Sequence, residues 1–185
     1  MNKIQVRNRM SFLVIMFALV ISVISILLVS KPILRAVYPL KYDNLISEYS
    51  AIYGLDKYMV MGIISAESKF EETAVSHKNA RGLMQIKDET FDWCAEMFDI
   101  DTNGDFNEMN INVGCAYIRY LTDKFAGNKK TVLAAYNAGE GNVTKWLGEQ
   151  GSTEDLSLSE IPYTETEKYV ETVEKRQKIY KYLYN

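Results

Sequence analysis

The residue of this chain best suited to chemistry is Glu67, a carboxylate that closes an apolar stretch. If that stretch is a helix, Val60, Ile63, Ile64 and Glu67 share one face, because they are spaced i, i+3, i+4 and i+7. A carboxylate on a face made for burial loses hydration, which raises its pKa toward the value that a general acid needs. The alternative is a helix-terminal Glu that points to solvent or pairs with Lys69.

A second candidate for ligand contact is the tetrad Gly82-Leu83-Met84-Gln85, in the loop predicted after Glu67. Gly82 permits a backbone geometry that is closed to other residues. Gln85 offers a donor and an acceptor, so its amide suits a sugar hydroxyl or an N-acetyl group without adding charge. Met84 would add flexible apolar surface. Taken alone, the tetrad is better explained as an ordinary loop that leads into a helix.

A third candidate is the run Ala135–Gly139, which contains Tyr136 and Asn137. Tyr136 could stack on a sugar or hydrogen-bond near Glu67, and Asn137 could hold an acetamido group. As a bare pattern, a Tyr on an Ala-rich helix is more often part of the core.

The last predicted helix offers one weaker candidate, Tyr169. Its helical face, shared with Val170 and Val173, also suits simple packing. Glu165 lies in the first turn of the same helix, where a carboxylate interacts favourably with the helix dipole in any case. We therefore interpret Glu165 as structural.

Four segments in this order resemble the soluble lytic transglycosylase family, whose catalytic domain has a lysozyme-like fold: Glu67-Ser68, Gly82–Gln85, Ala135–Gly139 and Ile161–Val170. The resemblance runs from about residue 45 to the C-terminus. It implies that Glu67 is the single catalytic acid and that no cofactor is needed. It also implies that the substrate is contacted by Ser68, Met84, Gln85, Tyr136, Asn137 and Tyr169.

Members of that family cut the β-1,4 bond between N-acetylmuramic acid and N-acetylglucosamine without consuming water. The same Glu protonates the leaving oxygen and then, as a carboxylate, takes the proton of the C6 hydroxyl, which attacks C1 and closes a 1,6-anhydro ring. Ordinary glycosidases use two carboxylates, and no second one stands in a matching motif here. Two alternatives stay open: a lysozyme-like hydrolase that uses another Asp or Glu of the cleft, and a glycan-binding or scaffold domain.

The elements that must position these residues are helical, because strand alternation is nearly absent. We predict one compact all-α domain over residues 43–185. Its helices are expected at Leu45–Tyr53, in a segment carrying Glu67, at Glu89–Phe98, around Ile111–Phe125, at Lys130–Ala138, around Val143–Leu147 and from Thr164 to Leu183. The expected caps are Asp56, Asp88, Asn110 and a Thr164/Glu167 capping box.

A run of 21 residues without charge, Met10–Ser30, precedes this domain. It is long enough to cross a hydrocarbon core at about 1.5 Å per residue. We predict an uncleaved signal anchor with a cytoplasmic tail at 1–9, a tether at 31–42 and the catalytic domain outside the cell membrane. A cleaved signal peptide is the alternative, although Lys31-Pro32, rather than a small-residue cleavage site, follows the run.

The charge balance restricts the partners. From Ala36 onward there are 16 Lys and Arg against 24 Asp and Glu, which argues against nucleic acid. The resemblance implies peptidoglycan glycan strands as the substrate, and a tethered enzyme of this kind suggests protein partners in a cell-envelope machine.

Two further patterns are interpreted as structural. Cys94 and Cys115 fall on apolar helix faces and are expected to be buried free thiols, with a disulfide as the alternative. The run from Asp99 to Asn107 resembles a calcium loop, but position 12 of that loop is Asn110 instead of the required Glu, so we interpret it as a polar turn.

Overall fold

The computed structural model describes the backbone of residues 3–185 and the side chains of that range other than 3–9, 11, 23 and 26–30. Residues 1–2 of the predicted cytoplasmic tail, and these side chains of the tail and the predicted anchor, lie outside the described residues. The chain divides into two units, Met1–Leu40 and Lys41–Asn185.

The first unit contains helix α1, Lys3–Val37, which covers the predicted span and continues into the predicted tether. Several described apolar side chains of α1 face solvent, and Leu13 and Phe17 are 64% and 68% exposed. Within the part of the chain that the structure describes, no helix is sufficiently long and apolar to cross a lipid bilayer. The membrane anchor therefore stays a prediction.

The second unit is built from seven helices and, among the described residues, has no strand beyond two isolated β-bridges, Val75 with Arg81 and Arg81 with Ile86. The prediction of an all-α domain is confirmed. The helices are α2 (Asp43–Ile52), α3 (Lys57–Glu67), α4 (Asp88–Met97), α5 (Phe106–Lys124), α6 (Lys129–Ala138), α7 (Glu140–Glu149) and α8 (Thr164–Tyr184).

The centre of the domain is α3, which is buried along its length from Tyr58 to Ser65. A helix that is apolar all round is stable only when neighbours cover every face, and α8 and α2 are among the helices packed on it. Gly62 lets α8 approach closely, since a Cβ at this position would lie 2.9 Å from the Val173 carbonyl oxygen. Glu67 is the last residue of this rigid element.

The predicted cap Asn110 is wrong. The fifth helix, α5, begins at Phe106, and its cap is Asp105, whose Oδ1 accepts from the backbone N–H of Asn107 and Glu108 at 3.0 Å each. Asn110 is instead buried inside α5, where its Oδ1 accepts from Met84 N at 2.8 Å and its Nδ2 donates to the Arg81 carbonyl at 3.1 Å. An amide can cap a helix or bridge to another segment, and here the bridge holds the tetrad loop.

The other predicted caps have mixed outcomes. Asp56 caps α3 by accepting from Tyr58 N at 2.8 Å, as predicted. Asp88 is already the first residue of α4, so the prediction is displaced by one position. The Thr164/Glu167 box does not form, because Thr164 is itself the first helical residue of α8 and its N-cap, Tyr163, makes no side-chain cap.

Both cysteines are buried and free, which confirms their interpretation as thiols of the core. Burial raises the pKa of each to about 12, so neither is a reactive thiolate at neutral pH. The loop from Asp99 to Asn107 makes its own local hydrogen bonds, including Asp101 Oδ1 with Asn103 N at 2.9 Å.

Candidate active site

Glu67 lies where α3 ends, and its environment changes its acidity. Val60, Ile63 and Ile64 on the same face are fully buried, whereas Glu67 is only partly buried. Burial raises the pKa of the Glu67 carboxyl from 4.5 to about 7, and a hydrogen bond from Tyr169 opposes part of that rise. The carboxyl is thus poised near neutrality, as the sequence predicted for a general acid.

The exposed part of Glu67 faces a cavity of about 390 Å³. This volume falls within the range of small-molecule sites in proteins. The cavity is also lined by residues from the loop before α4, from α4, α5, α6 and α7, and from the segment that opens α8. Among them are Ser76, His77, Lys78, Gln85, Thr90, Tyr117, Tyr136, Asn137, Gly139, Asn142, Tyr163, Glu165 and Thr166.

Gln85 is held in a fixed orientation at the cavity wall. Its backbone adopts a φ of 49°, and its Nε2 donates to the carbonyl oxygens of Ala74 and Gly82, both at 2.9 Å. The amide nitrogen is therefore committed to the backbone, and contact with a ligand falls to Oε1. Gly82 turns the chain with a φ of 77°, and a Cβ there would lie 2.8 Å from the Asn110 side chain.

Ser68 and Met84 do not line the cavity and instead support it. The Ser68 hydroxyl donates to the Leu83 carbonyl at 2.8 Å and accepts from Phe70 N at 3.1 Å, so it ties the end of α3 to the tetrad. Met84 is fully buried against Gly114 of α5. Sugar contact by these two residues stays a prediction.

Tyr136 and Asn137, at the end of α6, both line the cavity. The Tyr136 hydroxyl donates to the Met84 carbonyl at 2.8 Å. The Asn137 Oδ1 accepts from Thr166 Oγ1 at 2.8 Å, which leaves its NH₂ group as the available donor. The structure therefore brings Tyr136 and Asn137 together with Glu67 and Gln85, as the sequence predicted.

Tyr169 reaches Glu67 from α8. Its hydroxyl is buried and meets no partner at strict hydrogen-bond geometry. It is nevertheless close enough to Glu67 that its O–H lowers the pKa of the carboxyl, while burial and then the Glu67 charge raise the pKa of Tyr169. Tyr169 does not line the cavity but contacts Glu67. Sugar contact by Tyr169 stays a prediction.

Several lining residues were not singled out from the sequence. Tyr117 and Thr90 come from the middle of amphipathic helices, where a wall residue and a core residue have the same periodicity. Glu165 was interpreted as structural, yet it lines the cavity as a second carboxylate. The sequence signal for a place of Glu165 in the site was its position inside Ile161–Val170, one of the four segments that carry the family resemblance.

Comparison with known proteins places this geometry in a family. The family model described as the transglycosylase SLT domain matches residues 44–158. The soluble lytic murein transglycosylase of Salmonella typhimurium is 35% identical over 143 residues, which cover 74% of this chain and 22% of that protein. The membrane-bound lytic murein transglycosylase C of Histophilus somni is 28% identical over 181 residues, covering 81% of this chain and 48% of that protein. The chain thus spans between about a fifth and a half of these relatives.

Solved structures agree with the sequence relatives. An inactive mutant of a lytic transglycosylase from Pseudomonas aeruginosa superposes with a TM-score of 0.73 at 28% identity, covering 81% of this chain and 25% of that one. The 70-kDa soluble lytic transglycosylase in complex with bulgecin A superposes with a TM-score of 0.72 at 31% identity, covering 80% and 25%. The predicted lysozyme-like, SLT-type helical fold is confirmed. The chain belongs to the transglycosylase SLT domain family.

Proposed function

We propose that this chain is a lytic transglycosylase that cleaves the β-1,4 bond between N-acetylmuramic acid and N-acetylglucosamine in peptidoglycan. The observation that carries the proposal is a carboxyl at a sugar-sized cavity with its pKa raised to about 7. Near neutral pH such a group is populated in both protonation states, so it can donate a proton and later accept one. The names of the relatives, lytic murein transglycosylases, support this substrate class.

The reaction needs one carboxyl in two roles. Protonated Glu67 donates its proton to the glycosidic oxygen as the bond from that oxygen to C1 of the muramic acid breaks. The C6 hydroxyl of the same sugar then attacks C1, and the Glu67 carboxylate takes the hydroxyl proton. The ring closes as a 1,6-anhydro sugar, Glu67 is protonated again, and no water is consumed. The enzyme is thus a carbon–oxygen lyase.

Neighbouring side chains position the sugar and stabilise Glu67. The Oε1 of Gln85 accepts from a donor of the sugar, and the NH₂ of Asn137 donates to an acetamido or hydroxyl oxygen. The Tyr169 hydroxyl donates to Glu67 more strongly when the carboxyl is ionised, since a hydrogen bond to an anion is stronger than one to a neutral group. This contact therefore assists the second, base-catalysed half of the reaction.

Hydrolysis is the second candidate, and Glu165 favours it. An inverting or retaining hydrolase requires a second carboxylate near the scissile bond, and Glu165 lines the same cavity. The products separate the two reactions. The lyase gives muramic acid ends that carry an anhydro ring and are lighter by one water than the reducing ends that a hydrolase gives.

The test is mass spectrometry of murein digested by the purified full-length chain. We expect anhydro ends from the wild type and none from Glu67→Gln. The matched control is Glu167→Gln, which removes a carboxylate that lies with Glu165 in the first turn of α8 but does not line the cavity. Reducing ends that disappear in Glu165→Gln would establish hydrolysis. Unchanged cleavage by Glu67→Gln would remove Glu67 as the catalyst, and a wild type that binds glycan without cutting it would establish the binding or scaffold alternative.

The proposed location is the outer side of the cell membrane, with a single span at residues 10–30. Support comes from the charge-free run Met10–Ser30, which lies within α1. Some relatives are named membrane-bound and others soluble. A tethered enzyme that cuts glycan strands fits a role beside protein partners in a cell-envelope machine.

A further inference from the structure

Aromatic rings continue from the wall of the cavity to the surface of the domain. Tyr117 and Tyr136 both line the cavity, with ring centroids 5.6 Å apart. On its other side Tyr117 lies 6.4 Å from Tyr120 and 6.4 Å from Trp93. Trp93 and Tyr120 in turn are 4.8 Å apart. Neither of these last two residues lines the cavity, so the aromatic run extends beyond it.

The rings of Trp93, Tyr117 and Tyr120 do not form one continuous stack. Tyr117 and Tyr120 share one face of α5 because they are spaced i, i+3, and their rings are nearly parallel, at 13°. Trp93 stands nearly perpendicular to both, at 88° and 79°. We call Trp93, Tyr117 and Tyr120 the aromatic corner.

The spacing of two residues on α4 places Trp93 of the aromatic corner on the same helix face as a residue that lines the cavity. Thr90 lines the cavity, and Trp93 follows at i+3 on the same helical face. The side chain of Trp93 keeps 40% of its surface exposed, whereas the other tryptophan, Trp146, keeps only 4%. A partly exposed indole that lies beside other aromatic rings offers an apolar surface on which a ligand can pack.

Polar groups border the aromatic corner on the side of α7. Lys124 Nζ lies 2.8 Å from Glu140 Oε2, 3.3 Å from the Tyr120 hydroxyl and 5.6 Å from the centre of its ring. Glu140 directly follows Gly139, which lines the cavity. Charged hydrogen-bonding groups thus stand next to the half-buried ring of Tyr120, so polar and aromatic groups occur together here as they do in the cavity wall.

We propose that the aromatic corner is an additional saccharide subsite, which binds a pyranose ring of the same glycan strand outside the catalytic cavity. The proposal rests on the proposed function, since it extends that substrate beyond the cleaved bond. The C–H face of a pyranose is apolar and packs on the electron-rich face of an aromatic ring, while its hydroxyls match Lys124 and Glu140. A nucleobase would also stack, but the domain carries 24 acidic against 16 basic residues from Ala36 onward, which disfavours a polyanion.

The experiment measures binding by the full-length chain with Glu67→Gln, which prevents turnover, and Trp146→Phe, which leaves Trp93 as the only tryptophan. The probes are glycan strands freed of their stem peptides, in a series from two sugars upward. We expect Trp93 fluorescence to respond only to strands long enough to reach past the cavity. Because variants at Trp93 then contain no tryptophan, their affinities are measured by calorimetry. Adding Trp93→Ala should weaken binding of the long strands by roughly three- to tenfold, the loss of one aromatic contact, and leave the shortest unaffected.

Two variants provide the controls. Trp93→Phe keeps an aromatic face and should restore most of the affinity for long strands. Tyr182→Ala removes an exposed aromatic side chain of α8 and should leave binding of all strands unchanged. An equal loss for short and long strands in Trp93→Ala, or no rescue by Phe, would overturn the subsite and assign Trp93 a packing role.

Failure of this proposal and failure of the proposed function give different results. If the wild type releases anhydro products while the Trp93 fluorescence change does not depend on strand length, only the subsite is overturned. If the full-length chain binds no strand of any length, the subsite and the glycan substrate are overturned together.

Discussion

Glu67 is held between two opposing influences, and each can be removed separately. Burial at the end of α3 raises its pKa to about 7, and the Tyr169 hydroxyl lowers it. In the proposed reaction, burial favours the acid form of Glu67 that the first step would need, and Tyr169 favours the base form that the second step would need. The balance between burial and the Tyr169 hydroxyl sets the pKa of Glu67.

Removing the Tyr169 hydroxyl should therefore shift the pH profile. In Tyr169→Phe the pKa of Glu67 rises further, because the bond that favours the carboxylate is lost. We expect the alkaline limb of kcat/KM to move to higher pH while kcat falls, as measured by anhydro product release across pH. Tyr136→Phe is the comparison, since that hydroxyl donates to Met84 and does not contribute to the shift of Glu67. A limb that stays in place would show that Tyr169 does not act through Glu67.

The raised pKa also has a consequence for stability. Because the folded pKa of Glu67, about 7, exceeds its ordinary value of 4.5, the folded state retains a proton that the unfolded state releases between these pH values. The stability contribution of this group is thus complete below the lower pKa and is lost as the pH rises through the higher one. At neutral pH and above, the wild type holds a partly buried charge that the folded state disfavours.

Glu67→Gln should accordingly stabilise the domain at alkaline pH. At about pH 8 we expect a gain of about 1–2 kcal/mol in the free energy of unfolding, reduced from the full linkage value because Glu67 is partly exposed. The gain should disappear near pH 4, where the wild-type carboxyl is protonated in both states. Urea unfolding at the two pH values measures it, and an equal effect at both would mean that the change does not come from ionisation.

At the scale of elements, the site depends on how closely α3 and α8 approach. Glu67 belongs to α3 and Tyr169 to α8, and at Gly62 the two helices pack too closely to leave room for a side chain. A Cβ on Gly62 would lie 2.9 Å from the Val173 carbonyl oxygen and 3.2 Å from Gln177 N. These are backbone atoms, so the conflict cannot be relieved by rotating a side chain.

Gly62→Ala should therefore destabilise the domain although Ala is the better helix former. We expect a loss of about 1–3 kcal/mol from overpacking, and weaker catalysis because α8 moves away from Glu67. The matched control is Gly148→Ala in α7, where a Cβ would meet no atom within 4 Å. That variant should gain up to about 1 kcal/mol from helix propensity alone. The urea unfolding midpoints of the two variants test this prediction. A Gly62→Ala protein as stable as the wild type would contradict the close packing of α8 on α3 at Gly62.

The elements also show what could be predicted from sequence and what could not. The face that carries Glu67 followed from the 3.6-residue period, and the cap Asp56 followed from its position before an apolar run. Asn110 could not be assigned in this way, because its partners on the tetrad loop are distant in sequence. Glu165 was interpreted as structural and Trp93 was not considered, because only tertiary packing shows that Glu165 lines the cavity and that Trp93 lies beside Tyr117, which also lines it.

At the scale of the whole molecule, the chain combines an apolar N-terminal helix with an acidic domain. All five basic residues of the first 35 flank the charge-free run, and no acidic residue accompanies them. Basic residues beside an apolar segment are typical of membrane-inserted helices. The net negative domain that follows gains nothing from an anionic membrane surface, so attachment would depend on α1.

If α1 is the anchor, charge placed at its centre should release the chain from membranes. In a double variant, Leu19→Arg, near the midpoint of the span, would add about 2.5–3.5 kcal/mol to the free energy of insertion, and Ile15→Arg, which lies nearer one end, would add a smaller cost. We expect the wild type to resist extraction from membranes by alkaline carbonate and the double variant to be released, with murein cleavage retained. Ile52→Arg, which changes an equally exposed apolar residue of α2, should stay with the membranes. Wild-type chain extracted as readily as the double variant would overturn the anchor, because the apolar run would then contribute no insertion energy.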